Sequence, residues 1–211
     1  AVLAAGGGRL LGWRSPNFVY RPKGTKRTKL LLKNYKLSDD IAFRFSEKSW
    51  KEWPLTADKF AAWVSNAPGQ TVNLFMDYET FGEHQWSSTG IFEFLRHLPY
   101  ELIKYRNIDF KTPKELIKKY EPVAELDIHS VVSWADIERD LSAWLGNKMQ
   151  QTAIAKIYEL RDKILKTKDK KLIEDWRKLQ ISDHFYYMCT KWFADGDVHK
   201  YFNPYDSPYE C

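Results

Sequence analysis

Asp77 and Glu79 stand two residues apart, where the apolar run Thr71–Met76 gives way to the polar string Asp77–His84. In an extended chain alternate side chains share a face, so the two carboxyls would point the same way, their alpha carbons about 6–7 Å apart. Two carboxylates that close do not both ionise freely. The one that keeps its proton near neutral pH can act as a general acid. Cleaving a glycosidic bond calls for such a pair: one group protonates the leaving oxygen, and the other meets an oxocarbenium-like centre. Two other readings use the same residues. The acids can simply solvate a loop, or Asp77, Glu79 and His84 can offer oxygen and imidazole ligands to a divalent ion. His84 directly follows Glu83, and no second histidine lies at helical spacing. Neither a metal nor a cofactor is expected.

A working carboxylate needs a rigid support. Thr71-Val-Asn-Leu-Phe-Met76 reads as a buried strand, and in parallel α/β barrels the loops after the strand ends hold the catalytic residues. Leu30–Leu32 and Ile41–Phe45 read as short strands. Thr56 starts a helix over Ala57–Val64, which Asn66-Ala-Pro-Gly69 ends, and a helical pattern resumes at Thr89–Tyr105. Ala1–Leu11 reads as the end of a helix passing through Gly6–Gly8 into a strand near Leu10–Trp13. Those glycines do not form a dinucleotide-binding motif, because Leu11 holds the third glycine position of G-x-G-x-x-G.

From Thr112 the pattern is helical. Thr112-Pro-Lys-Glu115 combines a capping box with proline at the first helical position. Ser133-Trp-Ala-Asp136 starts a long helical stretch to about Ile164, and another helix covers Lys171–Phe193 and ends near Asp195-Gly-Asp197. The division is an α/β part, residues 1–110, and a helical part, residues 111–211. If Trp134–Gln150 is one helix, Asp140, Trp144 and Asn147 share a face. A carboxylate, an indole and an amide on one stripe suit a sugar. Equally, Trp144 with Ile137, Leu141 and Leu145 makes the buried stripe of an amphipathic helix.

The 211 residues are 44% hydrophobic and 29% charged, ordinary values for a globular protein. Nine Trp, twelve Tyr and twelve Phe exceed what that composition requires. Most fill a core, but such rings also form platforms on which sugars stack. Trp13 and Trp86, each at or just beyond an expected strand end, are stacking candidates, and His84 beside Asp77 is a candidate for binding a sugar hydroxyl. Arg14 either orients a carboxylate or is structural. Net charge is +5, and Arg21–Lys36 holds seven basic residues and no acid. Such runs are usually solvated loops or strand edges, so no nucleic-acid partner is expected. Two cysteines without CxxC spacing indicate neither a disulfide scaffold nor a zinc site. No apolar run reaches membrane-spanning length, so no membrane partner is expected.

MDYETFGEHQW, at Met76–Trp86, resembles the fourth conserved region of glycoside hydrolase family 57, the retaining α-amylases and amylopullulanases. LLGWRSPNFVY (Leu10–Tyr20) and SWADIERDLSAWLGN (Ser133–Asn147) resemble two further stretches of the same branch, in the same order and spacing. The resemblance implies that Asp77 is the general acid/base and Glu79 a second active-site carboxylate, tuning Asp77 or binding a sugar hydroxyl. It implies substrate-binding roles for Asp140 and Trp144. It also implies an incomplete (β/α)7 barrel followed by a helical domain that closes over the cleft. The expected fold is therefore α/β, the C-terminal part of that barrel followed by an α-helical domain.

The family's nucleophile is a Glu in a TELIY-like stretch upstream of LLGWRSPN, and the chain contains no such stretch. AAGGGR at Ala4–Arg9 stands where an acidic AEGADR-like run is usual. A C-terminal fragment, inactive by itself, is expected. The implied activity is cleavage of α-glucosidic bonds in an α-glucan or maltooligosaccharide by double displacement. The alternatives are a 4-α-glucanotransferase of the same family and a non-catalytic glucan- or phosphate-binding module. A cytoplasmic location is expected, and the sequence carries no sign of an oligomeric state.

Overall fold

The structure, a computed structural model, describes residues 11–129, 131–133, 138–191 and 203–211, and the backbone of 2–4. Among them the chain is mostly helical, with a few short strands. It divides into two compact units, Ala1–His129 and Ser130–Cys211.

In the first unit, β1 (Val2–Ala4) pairs in parallel with β3 (Leu30–Leu32), Val2 opposite Leu30 and Ala4 opposite Leu32. Residues 2–4 are therefore a strand, where the sequence pattern suggests the end of a helix. Gly6–Gly8 and Leu10 lie outside the described residues, and where a strand was expected Gly12 and Trp13 form a turn, with Gly12 at φ +56°. A second parallel pair joins β2 (Arg21–Pro22) to β4 (Glu125–Leu126).

Helix α1 (Tyr35–Ala42) replaces the short strand expected at Ile41–Phe45. Leu37 and Ile41 are four residues apart and both buried, the spacing of one helical face. The Asn34 side chain caps the helix, accepting from the Leu37 N–H at 3.1 Å. Helix α2 (Ala57–Asn66) packs against α3 (Ile91–Ile103). Between them Phe60, Ala61, Ile91, Phe94, Leu98 and Leu102 form the core, joined by Leu37, Ile41, Phe45 and Leu55. Phe94 takes the Phe45 and Phe60 rings edge-on, with centroids 5.2 and 5.7 Å away. Complete burial of one such ring contributes about 2–3 kcal/mol.

Helix α4 (Pro113–Lys119) begins with the capping box its sequence predicts. Glu115 N–H donates to Thr112 Oγ1 at 3.3 Å, and Thr112 N–H donates to Glu115 Oε2 at 2.7 Å. The Lys29 ammonium donates to the Ile117 and Tyr120 carbonyls at the far end of α4 and to Glu121, each at 2.8 Å. This contact and the β2–β4 pairing tie Thr112–His129 into the first unit. They also account for much of the basic run. Arg21 pairs with Glu125, Lys23 with Asp127, Lys29 with Glu121 and Lys33 with Asp39.

Thr71–Met76, expected as a buried strand, is half-buried and joins no strand ladder among the described residues. Part of its backbone is held by other means. Asn34 N–H donates to the Asn73 carbonyl at 2.8 Å, and Phe75 N–H donates to Ser38 Oγ at 3.2 Å. The Asn17 carbonyl accepts from Gln70 and Thr71 N–H, and the Asn73 amide returns to the Leu32 carbonyl at 3.0 Å. Buried Asn34 completes the network by donating to Asn17 Oδ1 at 2.9 Å. Gly69, at φ +142°, lies so close that an added Cβ would stand 2.5 Å from both Asn17 Cβ and its carbonyl oxygen.

The second unit contains α5 (Ser142–Leu145), α6 (Lys148–Thr167), α7 (Lys170–Lys178) and α8 (Ser182–Tyr187). The continuous helix expected over Trp134–Gln150 is broken at Gly146, because Asn147 caps α6 with its side chain. The stretch expected as one helix over Lys171–Phe193 breaks at Leu179–Ile181, and Phe193 and Asp195–Asp197 lie outside the described residues. Gln150, fully buried, donates to the Ala143 and Phe185 carbonyls at 2.8 Å each and accepts from Asn147 N–H at 2.9 Å. One amide thus locks α5, α6 and α8 together. No helix among the described residues is long and apolar enough to cross a membrane.

Two substitutions test the first unit. Gly69→Ala should lower stability by about 1–3 kcal/mol through strain and the clash with Asn17. Asn34→Ala should cost about 1–2 kcal/mol by removing a cap and leaving the Asn17 side chain without its donor. Denaturant unfolding followed by circular dichroism measures both, and unchanged midpoints would count against the network.

Candidate active site

Asp77 leaves the extended segment at φ −69°, ψ 149°, and its carbonyl accepts from Thr80 N–H at 3.1 Å. Residues Tyr78–Thr80 then close into a 3₁₀ turn. The turn interrupts the extended alternation that would set the Asp77 and Glu79 side chains on one face. Both carboxylates are exposed, and among the described residues neither side chain makes a hydrogen bond or ion pair.

The loop is held by its main chain and by two inward residues. The Glu79 carbonyl accepts from Glu83 and His84 N–H at 3.1 and 2.9 Å. Gln85 N–H donates to the Thr80 carbonyl at 3.0 Å, and Gly82 N–H donates to the Gln85 carbonyl at 3.0 Å. Gly82 sits at φ +117°, a conformation that favours glycine. Thr80 and Gln85 are buried, and Gln85 Nε2 reaches the Ala42 carbonyl at 3.0 Å. Around them Asp77, Tyr78, Glu79, Glu83, His84 and Trp86 face solvent. Tyr78 is 96% exposed, which makes it the barest ring beside Asp77 and a contact that the sequence pattern does not single out.

Trp86 is 65% exposed and starts a second 3₁₀ turn, Ser87–Thr89. Trp13 is 91% exposed, with the Arg14 guanidinium 5.5 Å from its ring centroid. Among the described residues the Arg14 contact is thus to a ring. Among the described residues no three His, Cys, Asp or Glu side chains converge as a metal site would, so Asp77, Glu79 and His84 do not form one. A cavity of about 940 Å³ in the same unit is lined by Arg14, Asn17, Tyr35, Asp40, Trp50 and Trp63 among others, and Asp77 is not part of its wall.

Asp140 and Trp144 belong to the second unit. Asp140 is exposed, and its Oδ1 accepts from the Ser142 N–H at 2.8 Å and from the Ser142 hydroxyl. These hydrogen bonds, aided by the nearby Lys191 charge, hold its carboxyl below the usual aspartate range. Trp144 is half-buried, and its ring lies 5.6 Å from that of Tyr186 at a shallow tilt. Asn147, expected on the same ligand-facing stripe, has its amide engaged in capping α6 and in donating to the Met188 carbonyl at 2.7 Å. Trp134–Ile137, the start of the expected helix, lies outside the described residues.

The model of the family described as Glycosyl hydrolase family 57 matches residues 1–129, which include the whole Asp77 loop. The chain belongs to glycosyl hydrolase family 57. A curated relative named "Putative alpha-amylase", from Methanocaldococcus jannaschii, is 45% identical over 223 aligned residues. The alignment takes in 100% of this chain and 47% of the relative, so the chain spans about half that protein's length. No solved structure matches. The family match ends at the border between the two compact units, so Asp140 and Trp144 fall outside it.

The Asp140 hydrogen bonds in this family member give a pH-dependent prediction. Its folded pKa is depressed, so the associated stability is complete above the unfolded value of about 3.9 and is lost as pH falls through the folded value. Ser142→Ala should raise the Asp140 pKa toward the ordinary value and narrow that acidic window. Carboxyl-detected NMR titration of the two proteins checks it, and superimposable Asp140 curves would refute the assignment.

Proposed function

We propose that this chain is part of a retaining glycoside hydrolase acting on α-glucans, with Asp77 as the general acid/base. The observation that carries the reading is the state of Asp77. It opens the MDYETFGEHQW loop, is exposed, and has no ion pair or side-chain hydrogen bond among the described residues. Its carboxyl can reach a leaving oxygen without first breaking an internal contact. Family membership and the printed name of the Methanocaldococcus jannaschii relative support the same chemistry.

In the mechanism, the Asp77 carboxyl protonates the leaving glycosidic oxygen as a second carboxylate attacks the anomeric carbon. Asp77 then takes a proton from the water that releases the glycosyl-enzyme. The nucleophile is a Glu from outside these 211 residues, and the chain by itself is inactive. That inference is supported by the absence of a TELIY-like stretch from the sequence and by the 47% coverage of the relative. Glu79 and His84, both exposed, offer hydrogen bonds to sugar hydroxyls, and Trp86 and Trp13 present exposed rings for stacking. Asp140 and Trp144 are proposed substrate contacts from the helical part. The fold proposed for the whole enzyme is an incomplete (β/α)7 barrel followed by a helical domain, a reading supported by the two parallel strand pairs.

Asp77→Asn in the full-length protein should lower kcat on starch or maltooligosaccharides by about 10²–10⁴-fold, the usual contribution of a positioned acid/base. Near-normal turnover would remove the assignment. Product analysis of the wild-type protein tests the hydrolase reading: shortened chains alone fit hydrolysis, whereas lengthened ones mean that a sugar, in place of water, accepts the glycosyl group.

A further inference from the structure

Asn34, Ser38 and Ala42 are spaced four residues apart along α1 and so lie on one face. Each holds a different point of the chain around Asp77. Asn34 N–H donates to the Asn73 carbonyl, and Ser38 Oγ accepts from Phe75 N–H, both on the approach to Asp77. The Ala42 carbonyl accepts from Gln85 Nε2 at 3.0 Å, beyond Asp77 on the exit. The Ala42 carbonyl is one of the last four of α1, which have no partner within the helix.

From Gln85 a relay of hydrogen bonds runs back to Asp77. Gln85 N–H donates to the Thr80 carbonyl at 3.0 Å, and Thr80 N–H donates to the Asp77 carbonyl at 3.1 Å. Gln85 is itself 3% exposed and cannot meet a polysaccharide. Its Oε1 is buried without a hydrogen-bond partner among the described residues. A leucine would occupy a similar volume without burying an unfilled acceptor, so packing alone gives no reason for the amide. Its N–H donor does.

We propose that Gln85 is a positioning residue for Asp77, clamping the Asp77–Trp86 loop to the end of α1 and so fixing where the Asp77 carboxyl stands. The inference rests on the acid/base reading of Asp77. It locates in a buried amide the precision that an exposed loop lacks, since small misplacement of a catalytic group is expensive in rate.

The test is made in the full-length protein, with kcat, KM and Tm measured on a maltooligosaccharide for wild type, Gln85→Leu, Gln85→Glu and Asp77→Asn. Gln85→Leu should lower kcat on the order of 10–100-fold while KM stays within about twofold. In Gln85→Glu, the introduced carboxyl can donate to the Ala42 carbonyl when protonated but repels it when ionised. The kcat of that variant, relative to wild type at each pH, should therefore recover as pH falls, while that of Gln85→Leu stays low. A Gln85→Leu kcat within twofold of wild type overturns the proposal. So do parallel pH profiles for the two Gln85 variants. If Gln85→Leu does not fold, the profile of Gln85→Glu decides alone, and a flat ratio to wild type is a refutation. Asp77→Asn separates the two levels: if it is inactive while Gln85→Leu is normal, only the clamp is lost, whereas an active Asp77→Asn removes the acid/base reading itself.

Discussion

A partly buried segment needs partners for its main-chain N–H and carbonyl groups, and Thr71–Met76 finds several without a strand ladder among the described residues. The partners come from one face of α1 and from two asparagines. Asn34 acts at once as helix cap, as donor to the Asn73 carbonyl and as donor to Asn17. Asn17 in turn holds Gln70 and Thr71 through its carbonyl and the Pro68 carbonyl through its amide. The close approach of Gly69 to Asn17 leaves no room for a side chain there. These polar contacts act together with Val72, Leu74 and Met76, which pack against the α2–α3 core, to set the direction in which the chain arrives at Asp77.

The Asp77 loop separates holding from reaching. Its inward residues, Thr80 and Gln85, are buried and hydrogen-bonded to main chain, whereas its charged side chains and the Tyr78 and Trp86 rings project into solvent. Exposure keeps a carboxylate available for proton transfer, and a buried anchor restricts where it can stand. Phe81 adds apolar contacts to this anchor by packing against the α2–α3 core. The second unit uses an equivalent device at Gln150, a buried amide of α6 that donates to carbonyls of α5 and α8 and accepts from the Asn147 N–H.

Much of this was legible where the signal is local. The capping box at Thr112 was readable because a hydroxyl, a proline and a glutamate at fixed spacing satisfy the orphan donors of one turn. Helices α2 and α3 were readable from helical patterning, with Thr56 before the first turn of α2 and Asn66–Gly69 at its end. Misreadings came where the deciding partner is distant in sequence. Ile41–Phe45 looks like an alternating strand until Leu37 and the Asn34 cap are counted with it. Thr71–Met76 looks like a buried strand because its composition matches one, but whether it pairs depends on neighbours from elsewhere. The stripe of Asp140, Trp144 and Asn147 presupposed one helix, and Asn147 prefers to cap the next.

The candidate site shows the same limit. The residue types that offer acid chemistry and sugar contacts, and the family motif that contains them, are all present in the string Met76–Trp86. Sequence therefore determined which groups are available and named Asp77 as their centre. It could not show that Asp77 and Glu79 would be parted by a 3₁₀ turn, or that Gln85 would turn inward to Ala42, 43 residues earlier. Those outcomes depend on competition among hydrogen-bond partners and buried space brought together by folding. Chemistry was written locally, but its placement was decided by contacts that close over long loops.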